Sequence, residues 1–440
     1  MTTYFQKFSE TRFFLVLWSF LLVVHLGDTW ESPRAAMLAI VYFLCALFIK
    51  NEKWAWGVSI GALTLHLMYN WPYNANHMVF VMVCNLYLLT WVVREEKVNF
   101  NEVLNFLFFA LGVVYLIAAF HKINVDYLNP EVSCANMVVE RFMGRIGIAD
   151  NFLKGLLPAA SIFFEFLLGC LLMIYRTRRI AIAMSLVFHF VLVWSNFVNF
   201  ATIPLLFYLL YILISVDQSK SELEPKYKNL LGFYIITQML AFLVGVFQFK
   251  FYDINISYWL AASVWTIVAT IFLKFLFSFK EKLLVPKFNW LFLIFLSPLI
   301  VLGGKIYLGA GTSNSFSMFS NIRTEGMGWN HLIIPEEAKI LLYQDDIYFV
   351  DQISPEYMRT VRDFPTPGMG MPELEVYRLY DIWRETTTLP PVFTLRKEGD
   401  YQSHNAVELL PPDPSPYSKW EKKFLHFRQI QYAGSNQCRW

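Results

Sequence analysis

Charge, cysteine and repetition are all scarce in this chain. Only 16% of its 440 residues are charged and the formal net charge is +2, so bulk electrostatics points to neither nucleic acid nor an acidic partner. The five cysteines, Cys45, Cys84, Cys134, Cys170 and Cys438, include no Cys-x-x-Cys pair, so no zinc or thioredoxin-like site can be read from them. The apolar runs carry no P-loop and no His-x-x-x-His pair, and no metal site is expected. There is no repeat of fixed period and no low-complexity tract.

What fills the chain instead is apolar: 56% hydrophobic and 18% aromatic residues, with a mean hydropathy of +0.43. That composition fits a multi-pass membrane protein better than a set of soluble domains. Runs long enough to cross about 30 Å of hydrocarbon fall at roughly 12–27, 34–50, 55–71, 77–94, 103–121, 156–175, 180–196, 199–216, 229–248, 256–278 and 289–308. The stretch 180–216 is too long for one span, and Ser195-Asn196-Phe-Val-Asn199 followed by Pro204 divides it. The first run has no small-residue cleavage signature after it and reads as a retained helix.

Loop charges orient these runs. With the N-terminus inside, Lys50, Lys53, Arg94, Lys97, Arg176, Arg178 and Arg179 fall on the cytoplasmic side, whereas the other side holds few cations before the tail. The expected fold is therefore an all-α polytopic membrane bundle of about 11 spans, residues 1–308. From Gly309 the composition turns soluble, and residues 309–440 are expected to form an extracytoplasmic α+β or β-rich domain. Within it, Lys339 to Val350 reads as two strands around a turn, Glu373 to Glu385 has helical spacing, and Pro391 to Gln402 reads as another strand pair around Glu398-Gly399-Asp400. Cys134 and Cys438 would share the outer side, where an oxidising compartment would let them pair.

The same orientation gathers polar residues on the outer face. Asn70 to His77 opens one span there, and the Asn196/Asn199 turn emerges there. The run beginning near Val103 ends there in His121-Lys122-Ile-Asn124-Val-Asp126. A lysine leaving hydrocarbon is either an anchor whose ammonium snorkels to the headgroups or a base, since burial penalises the ammonium and favours an amine able to take a proton. His77, directly after Asn76, is either a hydrogen-bonded interfacial residue or a catalytic group. Glu165 and His189 lie on consecutive spans and could pair, either to fix helix packing or to serve function.

These pieces resemble a known family. Asn74-Ala-Asn76-His77 opening a span, Phe120-His121-Lys122-Ile-Asn124-Val-Asp126-Tyr127 ending another, Glu165, Phe188-His189-Phe190 and Ser315 to Asn321 are similar, in order and spacing, to the HTTM group (horizontally transferred transmembrane domain), over roughly residues 10–325. That group includes the vitamin K-dependent γ-glutamyl carboxylases. The resemblance implies that Lys122 deprotonates a reduced naphthoquinone. Oxygen then adds, and the resulting strong base takes a glutamate γ-proton so that CO2 can add. It also implies that Asn76 and His77 position the quinone and the developing anion, with His189, Glu165 and His121 as supporting polar residues. The chain departs from the carboxylases where their Lys-Lys doublet is His121-Lys122 and their first Asp is Asn124, and its tail is much shorter.

Two functions follow as expectations. One is a carboxylase-like membrane enzyme using a naphthoquinol such as reduced vitamin K, with O2 and CO2 as co-substrates, acting on glutamate or a related group of an exported peptide or protein. The other is a non-enzymatic membrane factor that binds an exported peptide or lipid and assists its maturation, with Lys122 as an anchor. They differ in whether Lys122, His77 and Asn76 face one internal cavity with room for a quinone ring.

Overall fold

A computed structural model describes residues 10–25, 33–71, 74–94, 98–148, 153–215, 229–230, 232–234, 236–237, 250–251, 254–278, 289–353, 369–386, 393–397, 415–431 and 438. Ten of its helices follow the apolar runs: α1 (Glu10–His25), α2 (Pro33–Phe48), α3 (Glu52–Tyr69), α4 (Asn76–Val93), α5 (Phe100–His121), α8 (Leu157–Met173), α9 (Arg178–Trp194), α10 (Val198–Ser215), α11 (Ile256–Ser278) and α12 (Leu291–Gly304). Between α5 and α8 lie a single turn, α6 (Val125–Leu128), and the amphipathic α7 (Cys134–Arg145). Most of the run expected at 229–248 lies outside the described residues.

Four helical stretches are long and apolar enough to cross a membrane among the described residues: Asn76–Val93, Phe100–His121, Tyr175–Trp194 and Tyr258–Phe277. Leu157–Met173, Ala201–Ile212 and Leu291–Gly304 are apolar but shorter. The helix starts follow local chemistry. Asn51, Asn99, Asn124 and Ser133 each accept a hydrogen bond from a backbone N–H in the first turn of α3, α5, α6 and α7. The division between α9 and α10 falls at Asn196, which adopts a left-handed φ of 83°, whereas Pro204 sits inside α10.

The helices interlock through aromatic side chains. Phe14 stacks on both Trp18 and Trp56, and Trp18 stacks on Phe207. The Trp18 indole N–H donates to Asn85 Oδ1 at 2.6 Å, so a buried amide has a partner where no water reaches it. The most extensive helix pair is α5 with α8. There Gly112 and Gly169 face each other, and a Cβ on either would lie 2.8 or 2.9 Å from the other's carbonyl oxygen. Two small residues thus let the backbones approach as closely as helices in lipid can.

Strands β1 (Lys250–Phe251) and β2 (Ile254–Asn255) form a two-stranded ribbon. A second, antiparallel sheet has the order β5-β3-β4-β6, from β3 (Ile347–Ile353), β4 (Met369–Pro372), β5 (Phe393–Lys397) and β6 (Ile430–Gln431). Tyr348 pairs with Met371 and Phe349 with Gly370, and Ile347, Phe349 and Ile430 pack as a small core. Helix α13 (Glu373–Thr386) matches the helical spacing of the sequence, and α14 (Lys419–Phe424) starts with a Ser418/Glu421 capping box.

The expected strand pair over Lys339 to Val350 is not found, because only its end is a strand. Residues 339–346 instead bind the loop that follows α12. Leu341 N–H donates to Leu308 O at 2.9 Å, and buried Gln344 donates its amide to Ile306 O and Thr324 O. Of the pair expected over Pro391 to Gln402 one strand, β5, is seen, and residues 398–402 lie outside the described ones.

Candidate functional site

The site begins with the spacing of α5. Leu111, Val114, Tyr115, Ala118 and Lys122 recur at helical intervals and present one stripe of the helix to a cavity of about 320 Å³. Asn76, His77 and Phe80 of α4 enter from a second side, Ala160, Ser161, Phe164 and Glu165 of α8 from a third, and Phe188, Val191 and Leu192 of α9 complete the wall. Phe316, Met318 and Phe319, from the segment after α12, close a further side. The lining is apolar and aromatic except where Asn76, His77, Lys122, Ser161 and Glu165 gather.

Lys122 is the C-cap of α5 and only 4% exposed. Helical side chains slant toward the helix N-terminus, so a lysine at a C-terminal end is directed back along its own helix. Its Nζ donates to Glu165 Oε2, and the two side chains are 5% and 6% exposed. The ammonium also lies 5.8 Å from the centre of the Tyr127 ring, whose hydroxyl is bonded to Ser161 Oγ at 2.6 Å. A buried ion pair tolerates its desolvation because each partner neutralises the other.

Asn76 does two things. Its Oδ1 accepts the backbone N–H of Phe316 at 3.0 Å, fixing the closing segment to α4, and its Nδ2 has no partner among the described residues. Phe316 and Phe319 both take left-handed backbone angles, with φ of 60° and 54°. Bulky residues rarely adopt this conformation, which costs on the order of 1–3 kcal/mol each. The strained pair is held where both rings reach the cavity.

The exit of α5 is tied to the same segment. Asn124, fully buried, donates to His121 O and to Ser320 O at 2.8 and 2.6 Å. Residues 123–125 pair with 330–332, through Val125 N–H to Asn330 O and Leu332 N–H to Ile123 O. Asp126 accepts from Asn330 Nδ2 at 2.8 Å, which makes it a brace for the exit. Cys134, in the cavity wall, forms a disulfide with Cys438 across 304 residues of sequence, so the pairing allowed by their placement is present.

The structure thus brings Lys122, Asn76, His77 and Glu165 around one cavity. His189 stands behind it: its Nδ1 lies 2.7 Å from Ser185 O, so that nitrogen carries the proton, and its Nε2 accepts from Tyr115 OH at 3.2 Å. The partner of Glu165 is Lys122 and not, as the order of spans suggested, His189. Consecutive helices share a boundary, but rotation about each axis decides which side chains meet, and the Gly112–Gly169 contact turns Glu165 toward α5. His121 points away from the cavity, with Nε2 donating to Ser315 O at 2.9 Å and Nδ1 accepting from Tyr307 OH at 2.7 Å. Sequence reasoning missed Tyr127 and Ser161 as part of the site. It also missed the closing role of Phe316 and Phe319, although Ser315 to Asn321 had been singled out as a motif.

The arrangement is that of a mostly helical protein with four helical stretches long and apolar enough to cross a membrane among the described residues, and a largely apolar cavity lined by a few polar groups. In comparisons with protein-family models, curated proteins and solved structures, no match to this chain was found.

Proposed function

We propose that this chain is an integral membrane enzyme of the HTTM type that couples oxidation of a reduced naphthoquinone by O2 to carboxylation of glutamate or a related substrate. The observation that carries the reading is the meeting of Lys122, Glu165, Asn76 and His77 around one largely apolar cavity. A cavity of about 320 Å³ falls within the usual range for small-molecule sites. Phe80, Phe164, Phe188, Phe316 and Phe319 suit a flat aromatic ring, and the polar groups are confined to the end where a ring oxygen would need them.

When bound, a naphthoquinol would supply, with oxygen, the strong base that removes a glutamate γ-proton. The chain's own residues do the rest. Glu165 accepts the Lys122 proton along their hydrogen bond, which frees the amine to take a proton from the ring hydroxyl, and it holds that amine at the cavity wall. The Asn76 Nδ2 donor and the His77 imidazole line the same cavity and would stabilise developing negative charge there. The Phe316–Phe319 segment closes the outer end and keeps water from a strong base. In this reading the bundle has eleven spans with the N-terminus inside, and the sheet-bearing C-terminal region lies outside the cytoplasm. The Cys134–Cys438 disulfide supports that side, since such bonds persist in oxidising compartments.

The test is incorporation of labelled bicarbonate into a glutamate-containing peptide by the purified protein, with reduced naphthoquinone and oxygen each added and omitted. Incorporation that needs both supports the proposal. Absence of incorporation despite measurable quinol binding would leave the maturation-factor reading, in which the same cavity holds a lipid or an exported peptide.

A further inference from the structure

A second group of buried polar atoms lies apart from the cavity. Lys305 caps the C-terminus of α12, and Trp71 follows the C-terminus of α3. Each is only 7% exposed. Lys305 Nζ sits 5.8 Å from the centre of the Trp71 ring, and neither this ammonium nor the indole Nε1–H has a hydrogen-bond partner among the described residues. The ring face offers the cation a cation–π contact but takes none of its three N–H donors.

Two buried donors, one of them a cation, therefore lie on neighbouring side chains with no acceptor among the described residues. Such a pair is costly unless something else satisfies it, because an unpaired buried charge loses its hydration without return. The buried carboxylates Glu325 and Glu375 are committed to other cations: Glu325 accepts from Arg428, and Glu375 from Arg378. Gly311 stands beside the amine. A Cβ there would lie 3.0 Å from His426 O and 3.5 Å from Nζ, so glycine keeps the narrow space beside the amine free of a side chain. Lys423, whose Nζ reaches Tyr69 O at 3.2 Å, adds positive charge on the same side.

We infer that Lys305 and Trp71 form a binding site for a small singly charged oxyanion of the carboxylate type. The ammonium supplies the charge and the indole N–H the second hydrogen bond. The site adjoins the segment that closes the cavity already described. Trp71 and Asn76 lie on one loop-to-helix connection, and Lys305, Gly311 and Phe316 on the segment that Asn76 holds. An anion bound there therefore braces the two segments that close the cavity. The inference does not depend on the quinol chemistry. The anion's source is either a free one, such as bicarbonate, or the side chain of a peptide ligand.

The experiment is thermal unfolding of the purified full chain in detergent at constant ionic strength. Sodium acetate, sodium bicarbonate and N-acetyl-glutamyl amide are the probes, with sodium chloride and N-acetyl-glutaminyl amide as controls. A carboxylate probe is expected to raise the midpoint of the wild type saturably, as a ligand specific to the folded state must, while the glutaminyl control has no effect. Response to acetate or bicarbonate identifies a free anion, and response to the glutamyl probe alone identifies a side-chain carboxylate. Lys305→Met should abolish the response while melting no lower than wild type without probe, because it removes an unpaired buried cation. Trp71→Phe keeps the ring and removes one donor, and should weaken binding roughly tenfold. No saturable rise with any carboxylate probe, an equal rise with chloride, or an unchanged rise in Lys305→Met overturns the site. If Lys305→Met does not fold, undiminished binding by Trp71→Phe overturns it.

Discussion

Removing the carboxylate of Glu165 is the perturbation whose cost the structure fixes best. Lys122 and Glu165 are paired with side chains 5% and 6% exposed, so Glu165→Ala leaves a cation in a wall with almost no access to solvent. Breaking a buried pair from one side costs about 3–5 kcal/mol, whereas replacing both partners by apolar residues of similar volume is often neutral or stabilising. Because both residues border a cavity that water can enter once the pair is broken, the lower end applies, about 3 kcal/mol. Equilibrium unfolding in mixed detergent micelles, followed by circular dichroism, measures the cycle of wild type, Glu165→Ala, Lys122→Met and Lys122→Met/Glu165→Leu. Each single variant is expected to lose about 3 kcal/mol, and the double variant to lie within about 1 kcal/mol of wild type. Single variants that each lose under about 1 kcal/mol and add in the double variant would show that the pair is neither buried nor coupled.

Three further outcomes follow from separate features. Gly112→Ala places a methyl 2.8 Å from Gly169 O, and should lower stability by about 1–3 kcal/mol in the same unfolding assay, whereas Gly61→Ala, whose nearest contact is 3.9 Å, should not. Cys438→Ser should lose the Cys134 cross-link, seen as a mobility shift on non-reducing gels that the wild type shows only after reduction, with a stability loss of about 2–5 kcal/mol. Glu375 is buried, which opposes its charge, but Arg378 and then His426 outweigh that and hold its carboxyl at about 2. Its folded value lies below its unfolded one, so its stabilising contribution is present above the ordinary carboxylate range and is lost as pH falls from about 4.5 toward about 2. Unfolding midpoints measured across that window should fall more steeply for wild type than for Glu375→Gln.

The helices were the most legible part of the chain, and for a simple reason. Spanning runs are defined by composition, and composition is local. Lys122 could be picked out because a cation at the end of an apolar run costs free energy and demands an explanation. Its partner could not. Glu165 lies 43 residues away, and its direction depends on how far α8 rotates and how closely it approaches α5. The Gly112–Gly169 contact decides both, and a glycine from each of two helices forms no motif that either helix displays alone. Pro204 looked like a helix breaker, yet α10 runs through it, and the chain turns instead at Asn196, one of the few residue types that tolerates a left-handed angle.

Residues 339–346 show the same limit from the other side. Their apolar run Ile340 to Tyr343 before Gln344-Asp345-Asp346 suits a strand entering a turn, but backbone groups there find partners in the loop after α12, and no periodicity encodes that choice. Phe316 and Phe319 are less legible still. Nothing in their residue type announces a left-handed backbone. The strain is supported by Asn76, Ser315 and Asn321, which meet only once the fold is formed.

The measurement closest to the central claim is oxidation of reduced naphthoquinone by the purified protein in detergent, with oxygen and bicarbonate present. Wild type is compared with Lys122→Ala and with the paired replacement Lys122→Met/Glu165→Leu, which keeps the fold by the argument above. Quinol oxidation by the wild type should fall to background in both variants, with ring binding retained in at least the paired replacement. Equal rates in all three proteins would contradict it, and would leave Lys122 and Glu165 as a structural pair in a cavity that serves another ligand.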